Sequence, residues 1–163
     1  MTDIRDFSIL APVAPEHLQS GAKIASSTGF VAFGSRKWEL FRKVDELRGD
    51  ARVPVLIYPS HEDVPAKDSF VVSWEGRYVG CEESGNCKHS TGMTQSPQTT
   101  GQYTSDNHGH WAVFWHVRDL CKLTAAQRLP ISTIQTVKGG YRKSTPPRGP
   151  ELVATPSTLE LPL

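Results

Sequence analysis

Three cysteines in 163 residues are too few, and odd in number, for a disulfide framework. That points to a reducing compartment. No apolar run reaches the roughly 20 residues that a membrane-spanning helix needs. The start of the chain carries Asp3, Arg5 and Asp6 in place of an unbroken apolar stretch, so a signal peptide is not expected. A cytoplasmic protein with no membrane partner is the expectation. A charge bias is missing too. The net charge is +1, so no global field pulls the chain onto nucleic acid, and any anionic partner must be held by local basic patches. There is no internal repeat. Neither a Gly-x-Ser-x-Gly elbow nor a His-Glu-x-x-His helix occurs. Glu82 and Glu83 are adjacent carboxylates, but neighbours on a strand point to opposite faces. The chain is therefore not expected to be an enzyme.

What is present is a set of strand-like segments rich in aromatics. Phe70-Val71-Val72-Ser73-Trp74-Glu75-Gly76-Arg77-Tyr78-Val79-Gly80 reads as a hairpin turning at Glu75-Gly76. Trp111-Ala112-Val113-Phe114-Trp115-His116-Val117 reads as a second strand. Its period-2 pattern puts Trp111, Val113, Trp115 and Val117 on one face. Both faces are apolar, which predicts a central position. Three of the four tryptophans, Trp74, Trp111 and Trp115, lie in these segments. Tryptophan is a large apolar body with a flat π-surface, so each is a candidate either for the core or for a ligand wall.

The length suits one domain with a real core. Residues 1–28 are weakly patterned and read as an N-terminal extension. A domain follows over 29–154, and 155–163 is a tail. Within the domain, Gly29-Phe30-Val31-Ala32-Phe33-Gly34 is a short strand. Ser35 is a plausible N-cap for a helix over about 36–48, which Gly49 ends. Leu40, Phe41, Val44 and Leu47 form its apolar stripe, with Arg42, Lys43, Asp45 and Glu46 elsewhere. Val53-Pro54-Val55-Leu56-Ile57-Tyr58 is another strand. Glu82 to His110 has almost no aliphatic residues and reads as a long polar loop. Further strands are expected at Leu129–Ile134 and Glu151–Ala154. The fold class expected is α+β, a small mixed β-barrel with one or two helices packed on it.

The run DSFVVSWEGRYVGCEES, then HWAVFWHVRDLCKL and LPISTIQTV, resembles the PUA-like superfamily, and within it the EVE and YTH domains. The carrying pieces are Tyr78-Val79-Gly80, Val113-Phe114-Trp115-His116-Val117-Arg118-Asp119-Leu120 and Pro130-Ile131-Ser132. GFVAFGSRKWELF also resembles the opening strand and helix of those domains. The likeness spans about residues 29–137, and the absence of Trp between Cys81 and Tyr103 favours the EVE side. The resemblance implies a binding module that accepts a modified base, for example a methylated one, flipped from DNA or held in single-stranded nucleic acid. It implies that Gly34, Ser35 and Arg36 bond the base edge. Trp38, Trp74 and Trp111 stand near element ends and are the stacking candidates, whereas Trp115 is expected in the core. Lys37, Lys138, Arg142, Lys143 and Arg148 are the phosphate-binding candidates, in two regions that PUA-like topology brings together. No cofactor is expected. Such a module acts alone or with an effector protein partner.

Two alternatives compete. Cys81, Cys87, His89, His108 and His110 flank the polar loop, and Cys and His are zinc ligands. A zinc-stabilised interaction domain would hold that loop in order by metal, although the spacing matches no standard finger. A ribonuclease-type PUA-like enzyme is the other alternative, with no constellation assembled for it from spacing.

Overall fold

The computed structural model describes residues 6–59, 70–83, 113–137, 140 and 149–156. The first strand, β1 (Phe7–Val13), is a nearly continuous apolar run, and Ser8 to Ala11 are fully buried. That is the pattern of a strand covered on both faces. Helix α1 (Pro15–Thr28) follows, with Pro at the start and Gly29 closing it at φ 99°. Proline loses nothing at a position whose N–H has no helical partner, and the left-handed turn suits glycine. The segment expected to be an extension is thus a strand and a four-turn helix of the fold itself. Its pattern is weak because a strand buried on both faces carries no alternation to read.

Next come β2 (Val31–Ser35), α2 (Trp38–Arg48), β3 (Val53–Pro59), β4 (Val71–Val72), β5 (Trp74–Glu83), β6 (Val113–Lys122), β7 (Leu129–Pro130) and β8 (Glu151–Ala154). Six strands form one sheet in the order β2-β6-β5-β3-β1-β8, and β4 pairs with β7 in a small second sheet. Among the described strand pairs only β1 and β3 run parallel, with Ile9 beside Val55. Both helices cover one face. There Ile9, Leu18, Phe33, Phe41, Val44, Val55, Ile57, Tyr78, Trp115 and Val117 form the larger core. On the other face Leu10, Leu56, Tyr58, Val72, Leu123, Ile131, Ile134 and Val153 form the smaller one. The period-2 expectation holds for Val113, Trp115 and Val117, which share the helix-side core; Trp111 lies outside the described residues.

Three expectations need correction. The Glu75-Gly76 hairpin does not form. Both residues lie inside the single strand β5, while Val71 and Val72 pair with β7 instead. Gly76 is needed for a different reason. A Cβ there would meet the Val117 side chain at 2.5 Å, so the glycine permits close approach between β5 and β6. Second, Leu129–Ile134 is a strand only at its first two residues, then a 3-10 turn over Ile131–Thr133. Pro130 offers no N–H to a ladder, and its carbonyl accepts the Thr133 hydroxyl at 2.7 Å. Third, the expected barrel closure is not seen. The sheet ends at β2 and β8, and no described pairing joins them. The fold is a small α+β domain built on a six-stranded mixed sheet. No helix among the described residues is long and apolar enough to cross a membrane.

Candidate functional site

The N-terminus of α2 is where the sequence-predicted residues meet. Gly34 and Ser35 end β2 beside Phe114 and Val113 of β6. The expected cap is displaced by two residues: Lys37 is the N-cap and no side chain caps the helix. Ser35 is buried, and its Oγ accepts the Lys37 N–H at 3.1 Å, holding the bend that leads into the helix. Arg36, Lys37 and Trp38 are exposed on that bend. Trp38 keeps 42% of its surface in solvent, and the Arg42 guanidinium lies 4.9 Å from its ring centre. That is a cation–π distance, and one helical turn separates the two residues.

Trp38 divides two clefts. On one side Arg36, Lys37, Glu39 and Leu40 face Pro150–Leu152 across a space of about 510 Å³. The aliphatic stem of Lys37 packs against Gly149. On the other side Trp38, Arg42, Asp45, Glu46, Cys81 and Val113 line an open cleft of about 360 Å³.

Beneath this second cleft lies a network that the sequence reading missed. Asp45 Oδ1 accepts Arg48 Nε at 2.8 Å and the Tyr78 hydroxyl at 3.0 Å. Asp45 Oδ2 accepts the Cys81 thiol at 3.3 Å. Arg48 also donates to the carbonyls of Ala51 and Val79, and its guanidinium lies 5.3 Å from the Tyr78 ring centre. Burial, and after it the neighbouring Cys81 and Asp45, hold the Tyr78 phenol well above its ordinary range. Burial pushes the Cys81 thiol up to about 11; the Tyr78 hydrogen bond works the other way, and the Asp45 charge adds to the rise. Both groups are therefore protonated donors at neutral pH.

One signal was readable: Asp45 and Arg48 are three apart on a helix, where opposite charges meet. Tyr78 and Cys81 were not readable as partners. Three residues apart on a regular strand, they would face opposite ways. An extra residue in β5 between the pairs Tyr78–Val117 and Gly80–His116 brings both to the helix side, with Gly80 at φ 149°.

The other expected residues are scattered. Trp74 is half-buried against the helix-side core. It stands at the opposite end of β5 from Cys81, seven residues or roughly 20 Å away along a strand. It is not a wall of the Trp38 clefts. Trp111, Lys138, Arg142, Lys143 and Arg148 lie outside the described residues, as do Cys87, His89, His108 and His110. Of the zinc candidates only Cys81 is described, and its thiol proton is committed to Asp45. No group of three or more His, Cys, Asp or Glu suited to a metal occurs among the described residues.

The arrangement offers an aromatic face with Arg36 and Lys37 on one flank and Arg42 beside the fixed Asp45 carboxylate on the other. No protein-family model matches this chain, and comparison with curated proteins and with solved structures yields no match.

Proposed function

We propose that this protein is a non-enzymatic nucleic-acid-binding module that accepts a base, modified bases included, at the Trp38 end of α2. The observation that carries the reading is Trp38 itself: an exposed tryptophan standing between a cleft with Arg36 and Lys37 and a cleft with Asp45 and Cys81. A base stacks on the Trp38 and Arg42 wall, a contact worth roughly 1–3 kcal/mol per base. Arg36 and Lys37 take the flanking phosphate. The resemblance to PUA-like base readers points the same way. The expected Ser35 contact with the base is set aside, because its hydroxyl is buried and holds the Lys37 bend.

The test is a titration of short single-stranded and duplex oligonucleotides, unmodified, methylated and hydroxymethylated, at low salt. Binding is expected to weaken with salt. Two phosphate contacts predict a log–log slope of about −1.4 on single strands. Trp38→Ala is expected to abolish binding while leaving the melting temperature in place. Failure of every oligonucleotide to bind removes the reading.

A further inference from the structure

We infer that the base and the phosphate of one nucleotide share a single cleft, the larger one between the start of α2 and Pro150–Leu152; this rests on the nucleic-acid reading above and places its ligand. Both clefts beside Trp38, at about 360 and 510 Å³, fall within the size range of small-molecule sites, roughly 300–1,000 Å³. Volume therefore does not choose between them. Two other observations do. The first is the Trp38 ring. Trp38 borders both clefts, whereas Arg42, whose guanidinium lies 4.9 Å from the ring centre, borders only the smaller one. The guanidinium thus covers the ring from the smaller cleft, and the opposite face is left for a base. Arg42 backs the ring through a cation–π contact, and the base completes a three-layer stack.

The second observation is charge. The smaller cleft sets two carboxylates, Asp45 and Glu46, against Arg42 alone, so a phosphate brought there meets a net negative wall. The larger cleft balances Glu39 and Glu151 with Arg36 and Lys37, and neither of these cations makes a described ion pair. It also holds the amino end of α2, which no side chain caps, and the partial positive charge of a helix start favours an anion. The far wall is firm. Leu152 pairs with Ile9 of β1 and packs against the helix-side core. Pro150 stands two positions before it, on the same side of the chain where the strand is extended. A base laid on Trp38 therefore has apolar side chains across from it and cations at its own phosphate.

The experiment compares a short single strand of thymines with an equally long strand of abasic units, and thymidine monophosphate with thymidine. The thymine strand is expected to bind on the order of tenfold more tightly than the abasic one. Thymidine monophosphate is expected to bind more tightly than thymidine at low salt, the gap closing as salt rises. Leu152→Ala is expected to lower the thymine-to-abasic ratio about threefold. Glu46→Trp, which fills the smaller cleft, is expected to leave that ratio unchanged. If melting shows Leu152→Ala unfolded, Pro150→Ala takes its place. A ratio that survives the substitution in the far wall overturns the placement and leaves the nucleic-acid reading standing, and a ratio that falls with Glu46→Trp moves the base to the smaller cleft. Thymidine binding as tightly as its monophosphate at low salt separates phosphate from base and overturns the placement as well. Equal binding of the two strands, or no binding by any of the four ligands, overturns both readings. Thymidine monophosphate binding as tightly as the strand supports the placement and makes a free nucleotide the source.

Discussion

Helix α2 has two sides that meet the same residue types in opposite circumstances. On the inner side Phe41 is fully buried. It stacks on Trp115 at 5.4 Å and lies 5.5 Å from Tyr78, and Trp115 in turn is 5.2 Å from Phe33. On the outer side Trp38 has a guanidinium over its ring and 42% of its surface in solvent. Both tryptophans are large and apolar, and only one is part of what holds the domain together. Between the two sides runs the Asp45, Arg48, Tyr78 and Cys81 network. It joins the helix to β5 and presents one carboxylate to the outer cleft. The difference teaches that residue type alone does not sort core from site here; the sorting is done by which face of α2 and which side of the β5 bulge a residue occupies.

Several substitutions would break or sharpen that contrast. Trp115→Ala should cost about 3–5 kcal/mol, the usual range for truncating a buried aromatic, read by chemical denaturation. A cost under 1 kcal/mol would mean that the inner aromatic cluster is not the core. Asp45→Ala removes the acceptor of three donors and strands the largely buried Arg48. It should cost about 1–3 kcal/mol, and the Cys81 thiol should then react faster with iodoacetamide. An unchanged alkylation rate would mean that the thiol proton is not held by Asp45. Gly76→Ala drives a methyl into Val117 and should cost about 1–3 kcal/mol; a neutral result would show that β5 and β6 can part without loss. Trp38→Ala should stay within about 0.5 kcal/mol of the parent, as exposed positions do. If it instead destabilises as much as Trp115→Ala, the outer side is core after all.

A pH series tests the network without mutation. Folding favours the protonated forms of Cys81 and Tyr78, since both are raised above their ordinary values. Their contribution is complete below the ordinary thiol range. That of Cys81 is lost as pH rises toward about 11. Denaturation midpoints should therefore fall between about pH 9 and 11, and the fall should be smaller in Cys81→Ala.

Val53–Tyr58 and Val113–Val117 were legible as short runs of β-branched and aromatic residues, although both faces of each are largely buried. Helix α2 and its glycine stop were legible from one apolar stripe. Residues 7–13 were not, since burial on both faces removes the period and Ser8, Ala11 and Pro12 interrupt the run of strand formers. The supposed hairpin failed because Glu-Gly reads identically as a turn and as a close crossing, and only the partner strand decides. Of the site, Arg36, Lys37 and Trp38 were legible as a basic aromatic run at a helix start. Asp45, Tyr78 and Cys81 were not. Their meeting depends on a bulge that shifts the alternation of β5, and sequence spacing carries no mark of it.

The pairing of β1 with β8 sets an order on assembly. Phe7 lies opposite Ala154, and the Ser8 hydroxyl meets that of Thr155 at 2.7 Å, a separation of 147 positions. Closing a loop of that length costs about 4 kcal/mol in chain entropy. On the ribosome β1 emerges long before β8, whose paired residues lie 147 positions later. Until then one side of an apolar strand keeps its N–H and C=O groups unpaired, the state in which strands join the wrong neighbour. Slower translation of the stretch between β3 and β8 should therefore lengthen that exposure and lower the yield.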